Sequence, residues 1–250
     1  MNNFYLTLPS NSSMDVYPSN TMTNFKTRLP NRIELDGRWE VGLVEIQYPH
    51  SWYNLQEDQG EITFTHFPSN ALTSYTVHVP PGYYSSIDEL LRRMEKEFRA
   101  VAGTSSNPVT LDYDEITKKI MVENDDCHFA IGSKFQRILG FETDEIFDGK
   151  TTATLPVDMD PLHSIYVYCD LVEPRVVGDK LTPLLRVVPV TGTTGEMVTR
   201  SYENVHYVTV QQKSLETVEI NIRDDQGENV SFERGTLNVT LHFRRKRYLL

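Results

Sequence analysis

Apolar and polar residues alternate over most of this chain. Phe4–Leu8 and Asn24–Leu29 do so at the start, joined by a run of Ser, Asn, Pro and Thr. Alternation with period two is the mark of a half-buried β-strand. Trp39–Pro49 (WEVGLVEIQYP) sets Val41 and Leu43 on one parity and Ile46 and Tyr48 on the other, a slip that a β-bulge would absorb. Glu61–Phe67 and Ser74–Val79 add two strands separated by the turn-rich PSNALT. Ser164–Leu171, Leu184–Val190, Glu203–Val210, Val218–Arg223 and Leu237–Phe243 continue the series. Gly, Pro, Asn and Asp punctuate it, and Asp224-Asp225-Gln226-Gly227 is a strong turn signal between two strands. The pattern predicts an all-β sandwich or barrel rather than a parallel α/β sheet.

One block breaks this rhythm. In SIDELLRRMEKEFRAVA (Ser86–Ala102), Ile87, Leu90, Leu91, Met94, Phe98 and Val101 fall on one face of an α-helix. Ser86 and Glu89 form an S-x-x-E capping box at its start, and Gly103 can end it. Val109–Tyr113 and Lys119–Glu123 flank a turn and read as a hairpin. Phe129–Ile131 reads as an added strand, and Ser133–Leu139 as a short helix ending at Gly140. Residues 81–145 are thus expected to be a helix–hairpin–helix insertion within one domain spanning 1–250. The connectors are too short for a separate flexible domain.

Composition narrows the classes. The 250 residues are 39% hydrophobic and 24% charged, enough apolar surface for a packed core. A net charge of -11 makes the chain a poor general binder of nucleic acid or anionic membrane. Two cysteines, Cys127 and Cys169, do not make a disulfide framework, and reduced intracellular synthesis is expected. No signal-peptide pattern opens the chain and no apolar run is long enough to span a bilayer, so no membrane role is expected. Without a leader, the glycosylation sequons at Asn11, Asn229 and Asn238 are read as accidental.

Enzyme signatures are absent. No G-x-G-x-x-G, P-loop or G-x-S-x-G occurs; Gly192-Thr-Thr-Gly195 lacks the Lys of a phosphate loop and reads as a hairpin tip. None of the seven histidines has a carboxylate two positions on, the spacing a metal oxygenase on a β-barrel would use. Neither zinc spacing nor a cofactor motif is present, so no catalytic, metal or cofactor residue is assigned. Cys127 and His128 are neighbours, but adjacent strand residues point to opposite faces. Asp158 and Asp160 lie in a Pro-rich loop and read as solvated. Tyr48, Trp52 and Tyr53 surround Pro49; they fit a sugar platform, a subunit contact or core packing. Arg244-Arg245-Lys246-Arg247 places four cations after the last expected strand, a basic tail over 244–250. It fits a nuclear-import signal, a contact with packaged nucleic acid or an acidic partner, or a solvated terminal turn.

Several phrases together carry a resemblance. They are LPSNSSMDVYPSNTMTNFKTRLP, ELDGRWEVGLVEIQYP, PPGYYSSIDELL, FQRILGF, IYVYCDLVEPRVVGDKLTPLLRVVP and NVTLHFRR, in order from Phe4 to Arg245. This succession resembles the minor capsid (penton) proteins of Polinton/Maverick elements and adintoviruses. The resemblance implies a single jelly-roll capsomer, a virion component assembled in the host nucleus or cytoplasm. It would form homopentamers at the five-fold vertices beside a double jelly-roll major capsid protein. A jelly roll needs eight strands, and at least eight candidates lie outside 81–145. On this view residues 9–20 form an arm that orders on a neighbour. Pro174, Val176 and Val177, in an exposed loop between Asp170 and Asp179, are candidate subunit contacts with Trp52 and Tyr53. Arg244, Arg245, Lys246 and Arg247 would face packaged DNA or serve nuclear import. The alternative is a jelly-roll module that binds glycan or receptor through Trp52, Tyr53, Tyr83 and Tyr84.

Overall fold

A computed structural model describes residues 2–57, 60–66, 73–102, 109–142, 146–160 and 162–246. The chain divides into two compact units, one of Met1–Trp52 with Leu162–Leu250 and one of Tyr53–Pro161. The first opens with β1 (Asn3–Pro9), β2 (Asn24–Glu34) and β3 (Trp39–Pro49). The second holds β4 (Glu61–His66), β5 (Thr73–His78), α1 (Ile87–Ala102), β6 (Val109–Asp114), β7 (Lys119–Ile131), α2 (Ser133–Leu139) and β8 (Ile146–Thr152). The chain re-enters the first unit through β9 (Ser164–Cys169), β10 (Arg175–Val177), β11 (Lys180–Thr182) and β12 (Leu184–Pro189). It closes with β13 (Met197–Ser201), β14 (Val208–Thr209), β15 (Ser214–Arg223) and β16 (Asn238–Arg245).

Two antiparallel sheets build the first unit. One runs β1-β16-β3-β13, with β14 also on β3; the other runs β12-β9-β15-β2. In chain order the eight long strands are β1, β2, β3, β9, β12, β13, β15 and β16. The first pairs with the eighth, the second with the seventh, the third with the sixth and the fourth with the fifth. This nesting, four strands to a sheet, is a jelly roll. Alternate residues fill the space between the sheets: Ile165, Val167 and Cys169 from β9, Val218, Ile220 and Ile222 from β15, Val239, Leu241 and Phe243 from β16. The parity slip in β3 is a bulge. Thr240 faces Glu45 and Leu241 faces Leu43, so Val44 is the extra residue, and Val41, Leu43, Ile46 and Tyr48 all point into the core.

Three expectations for this unit are corrected. The strand expected at Glu203–Val210 is β13 at Met197–Ser201, then an irregular stretch and the short β14. The residues between are drawn over β3: Tyr202 donates its N–H to the bulge carbonyl of Val44 at 2.8 Å, and the Val205 side chain and His206 carbonyl cover Gly42. Gly192–Gly195 is no hairpin tip, because β12 and β13 lie in different sheets; it is the turn that carries the chain across. The opening arm folds back on its own unit. Asn20 accepts the Lys26 N–H on Oδ1 at 2.9 Å and donates Nδ2 to the Lys26 and Ser12 carbonyls, while Ser13 Oγ accepts from the Arg28 N–H. β2 is an edge strand, and these side chains occupy main-chain groups that would otherwise be exposed on that edge. Pro30 fits there because an edge strand tolerates a missing donor.

The second unit is an antiparallel sheet, β5-β4-β7-β6 with β8 also on β7. β4 and β5, counted from sequence among the sandwich strands, belong to it. The separate strands expected at Lys119–Glu123 and Phe129–Ile131 are one strand, β7, interrupted by a register shift between Asn124 and Phe129. β8 (IFDGKTT) was not expected, because its Gly149 breaks the apolar pattern. Ile87, Leu90, Leu91, Met94 and Phe98 of α1 are buried as the period required, while Val101 is exposed. Ser86 Oγ accepts the Glu89 N–H, and Glu89 returns its carboxylate to the N–H and hydroxyl of Ser85, one residue before the expected partner. Gly140 ends α2 in the left-handed conformation, φ 83°.

Candidate functional site

β16 places Val239, Leu241 and Phe243 inward, so His242 and Arg244 face outward. The register then assembles a cluster. Tyr5 of β1 lies opposite His242, and Glu40 of β3 opposite Arg244. Tyr207, just before β14, completes it. Its hydroxyl lies 2.7 Å from His242 Nδ1, and the Arg244 guanidinium sits 3.5 Å above its ring. The Tyr5 ring stacks on His242 with centroids 4.5 Å apart. Arg244 donates Nε and Nη2 to Glu40 Oε2 at 3.1 and 3.0 Å, and Lys246 Nζ lies 3.2 Å from Glu40 Oε1. Burial lowers the His242 pKa below the ordinary histidine value, and the neighbouring Arg244 charge adds to that. Glu40, Tyr207, His242, Arg244 and Lys246 line an open cleft of about 870 Å³ together with Asn2, Asn3 and Arg245. One carboxylate shared by two cations, with Arg245 alongside, leaves the cleft positive in an acidic chain.

β10 and β11 form a two-stranded ribbon. The stretch expected to be an exposed loop is therefore a small hairpin with its tip at Gly178 and Asp179. Val176 lies directly opposite Leu181, and the two are 74% and 70% exposed. Val177 is half-buried, Pro174 is exposed, and Arg175 Nη2 ties the ribbon to the Leu185 carbonyl at 3.1 Å. Ribbon and cleft share an anchor. The Glu173 N–H donates to the Thr209 carbonyl at 3.0 Å, while Val208 and Thr209 pair with Val41 and Glu40.

The remaining candidates are scattered. Trp52 is 4% exposed, packed against His50 with centroids 4.0 Å apart and edge-on to Phe232. Tyr53 belongs to the second unit and is 38% exposed. Tyr83 and Tyr84 are half-buried, and the Tyr84 hydroxyl donates to the Pro80 carbonyl. The glycan surface thus loses Trp52 to the core. Arg244 and Arg245 are not in a tail; they end β16, because the strand continues two residues further than the apolar alternation shows. Arg247 lies outside the described residues. Asp158 and Asp160 are joined by a local turn, the Asp160 N–H donating to Asp158 Oδ1. Among the described residues no three His, Cys, Asp or Glu side chains gather to hold a metal, and no helix is long and apolar enough to cross a membrane. Sequence reasoning missed Tyr5, Glu40, Tyr207 and His242. The outward alternation of His242 with Arg244 was visible, but Tyr207 arrives through an irregular segment that no local pattern marks.

The eight-stranded jelly roll with an α+β insertion between its third and fourth strands is similar to solved structures. The crystal structure of the mavirus penton protein matches over 97% of this chain and 99% of its own, with a TM-score of 0.53 at 11% identity. A chain of the Sputnik virophage cryo-EM structure matches over 98% of both, with a TM-score of 0.47 at 11% identity. No family model and no curated protein matches the sequence. The fold is thus like that of the mavirus penton protein.

Proposed function

We propose that this chain is a structural protein of a virion, the penton capsomer that forms homopentamers at the five-fold vertices of an icosahedral capsid. The observation that carries this is the nested jelly-roll pairing with an insertion after the third strand, matched nearly end to end by the mavirus penton protein. Five-fold packing is head-to-tail, so two different faces of each subunit meet. The ribbon residues Pro174, Val176 and Val177, with Tyr53, are the surface positions offered for such contacts. The neighbour at the vertex is a double jelly-roll major capsid protein, and the role involves no catalysis. Size exclusion with light scattering and negative-stain images test the proposal. A ring of about 144 kDa, five times the 28.8 kDa chain, is expected. A trimer, or a monomer that stays monomeric with the major capsid protein added, would overturn it.

A further inference from the structure

The Tyr207–Arg244 cleft and the base of the β10–β11 ribbon are linked through Thr209, which pairs with Glu40 and accepts the Glu173 N–H on its carbonyl. We propose that together they dock an extended acidic segment of a partner protein, its carboxylates in the cleft and its apolar side chains on Val176 and Leu181. Val176, offered above for subunit contact, then meets a partner protein instead, and pentamers that leave the ribbon uncovered are compatible with the proposal.

Charge complementarity names the occupant. The chain carries a net charge of -11, yet Arg244, Arg245 and Lys246 line a cleft whose one lining acid among the described residues is Glu40. Glu40 fixes Arg244 and Lys246 in place, and the Tyr207 ring supports Arg244 from below. Cations held in position lose little side-chain freedom when an anion arrives. Asn2 and Asn3 add amide groups to the lining, suited to a peptide backbone. The second half of the surface is apolar. Cross-strand partners project to the same face, so Val176 and Leu181 present one exposed apolar pair. Among the described residues β10 and β11 each pair in a sheet only with the other, and a peptide strand can add to such an edge.

These features favour protein over nucleic acid. A phosphate backbone has no use for the exposed Val176–Leu181 pair. A peptide alternating acidic and apolar residues meets both halves.

The test uses the full chain and a fluorescein-labelled peptide of alternating Glu and Val, about twelve residues long, long enough extended to span both halves. Its anisotropy is read at low salt, where charge pairing is least screened. Saturable binding is expected, weakened about tenfold or more by Arg245→Gln with Lys246→Gln and, separately, by Val176→Ser with Leu181→Ser. Thermal melts confirm that each variant folds, and a variant that does not is replaced by its single substitutions. Four results would overturn the proposal: no binding, equal binding of a Gln/Val peptide, tighter binding of an oligothymidylate of equal length, or variants that bind as the parent does. Light scattering runs in parallel. If the serine pair turns an oligomer into monomers and leaves peptide binding unchanged, the occupant is a second copy and the proposal fails.

Discussion

Gly42 has no room for a side chain. A Cβ there would collide with Val205 Cγ1 and lie 2.8 Å from the His206 carbonyl oxygen. Gly42→Ala is therefore expected to push residues 202–207 off β3 and cost about 1–3 kcal/mol, the usual range for overpacking, read as a lower urea midpoint. The same displacement moves Tyr207 from beneath Arg244, so a site residue depends on a glycine in the neighbouring strand. His242 offers a second check at this scale. Its pKa is lowered by burial and by Arg244, so the folded state binds the proton less readily than the unfolded chain. The sign follows: stability falls as pH drops through the unfolded histidine value, about 6.5, and levels off below the lower folded pKa. Arg244→Gln should raise the His242 pKa toward its ordinary value in an NMR titration; an unchanged or lower value would contradict the placement of that charge.

At the scale of elements, what could be read from sequence is what is local. The apolar face of α1, the turn at Gly140 and the alternation in β9, β15 and β16 depend on residues a few positions apart, and each formed where expected. Sheet membership is not local. β4 and β5 alternate like sandwich strands, and only their pairing with β7 places them in the second unit. β13 was missed because Met197, Thr199 and Ser201 face outward on an edge and leave Val198 as its buried apolar residue. The polar opening misled for the same reason: composition records a Ser- and Asn-rich stretch, but not that Asn20 bridges Ser12 and Lys26. Asn20→Ala removes three hydrogen bonds and leaves the edge of β2 uncovered. A loss of about 1–3 kcal/mol is expected, with faster hydrogen exchange at Lys26 and little change in β16. Equal acceleration in both strands would mean that the loop acts on the whole unit rather than on its edge.

For the whole molecule, the nested pairing of eight strands joins residues as far apart as Asn3 and Arg244, beyond the reach of any periodicity. The ordered phrases of the sequence carried that information, because a resemblance over the whole chain preserves topology that a window does not. The resemblance did not show that the chain holds two separate cores. One lies between the jelly-roll sheets; the other gathers around α1, β6 and β7, with Phe98 fully buried in it. A chain with two cores need not unfold in one step, since two-state behaviour is a property of single domains. Calorimetry is expected to show two transitions. Phe98→Ala, which empties a large volume in the second core, should lower one of them by about 3–5 kcal/mol of stability, and Ile220→Ala in the first core should lower the other by about 2–5 kcal/mol. If both substitutions shift a single common transition, the units fold as one. The insertion would then belong to the jelly roll energetically as well as in sequence, and stabilising either core would stabilise the whole chain.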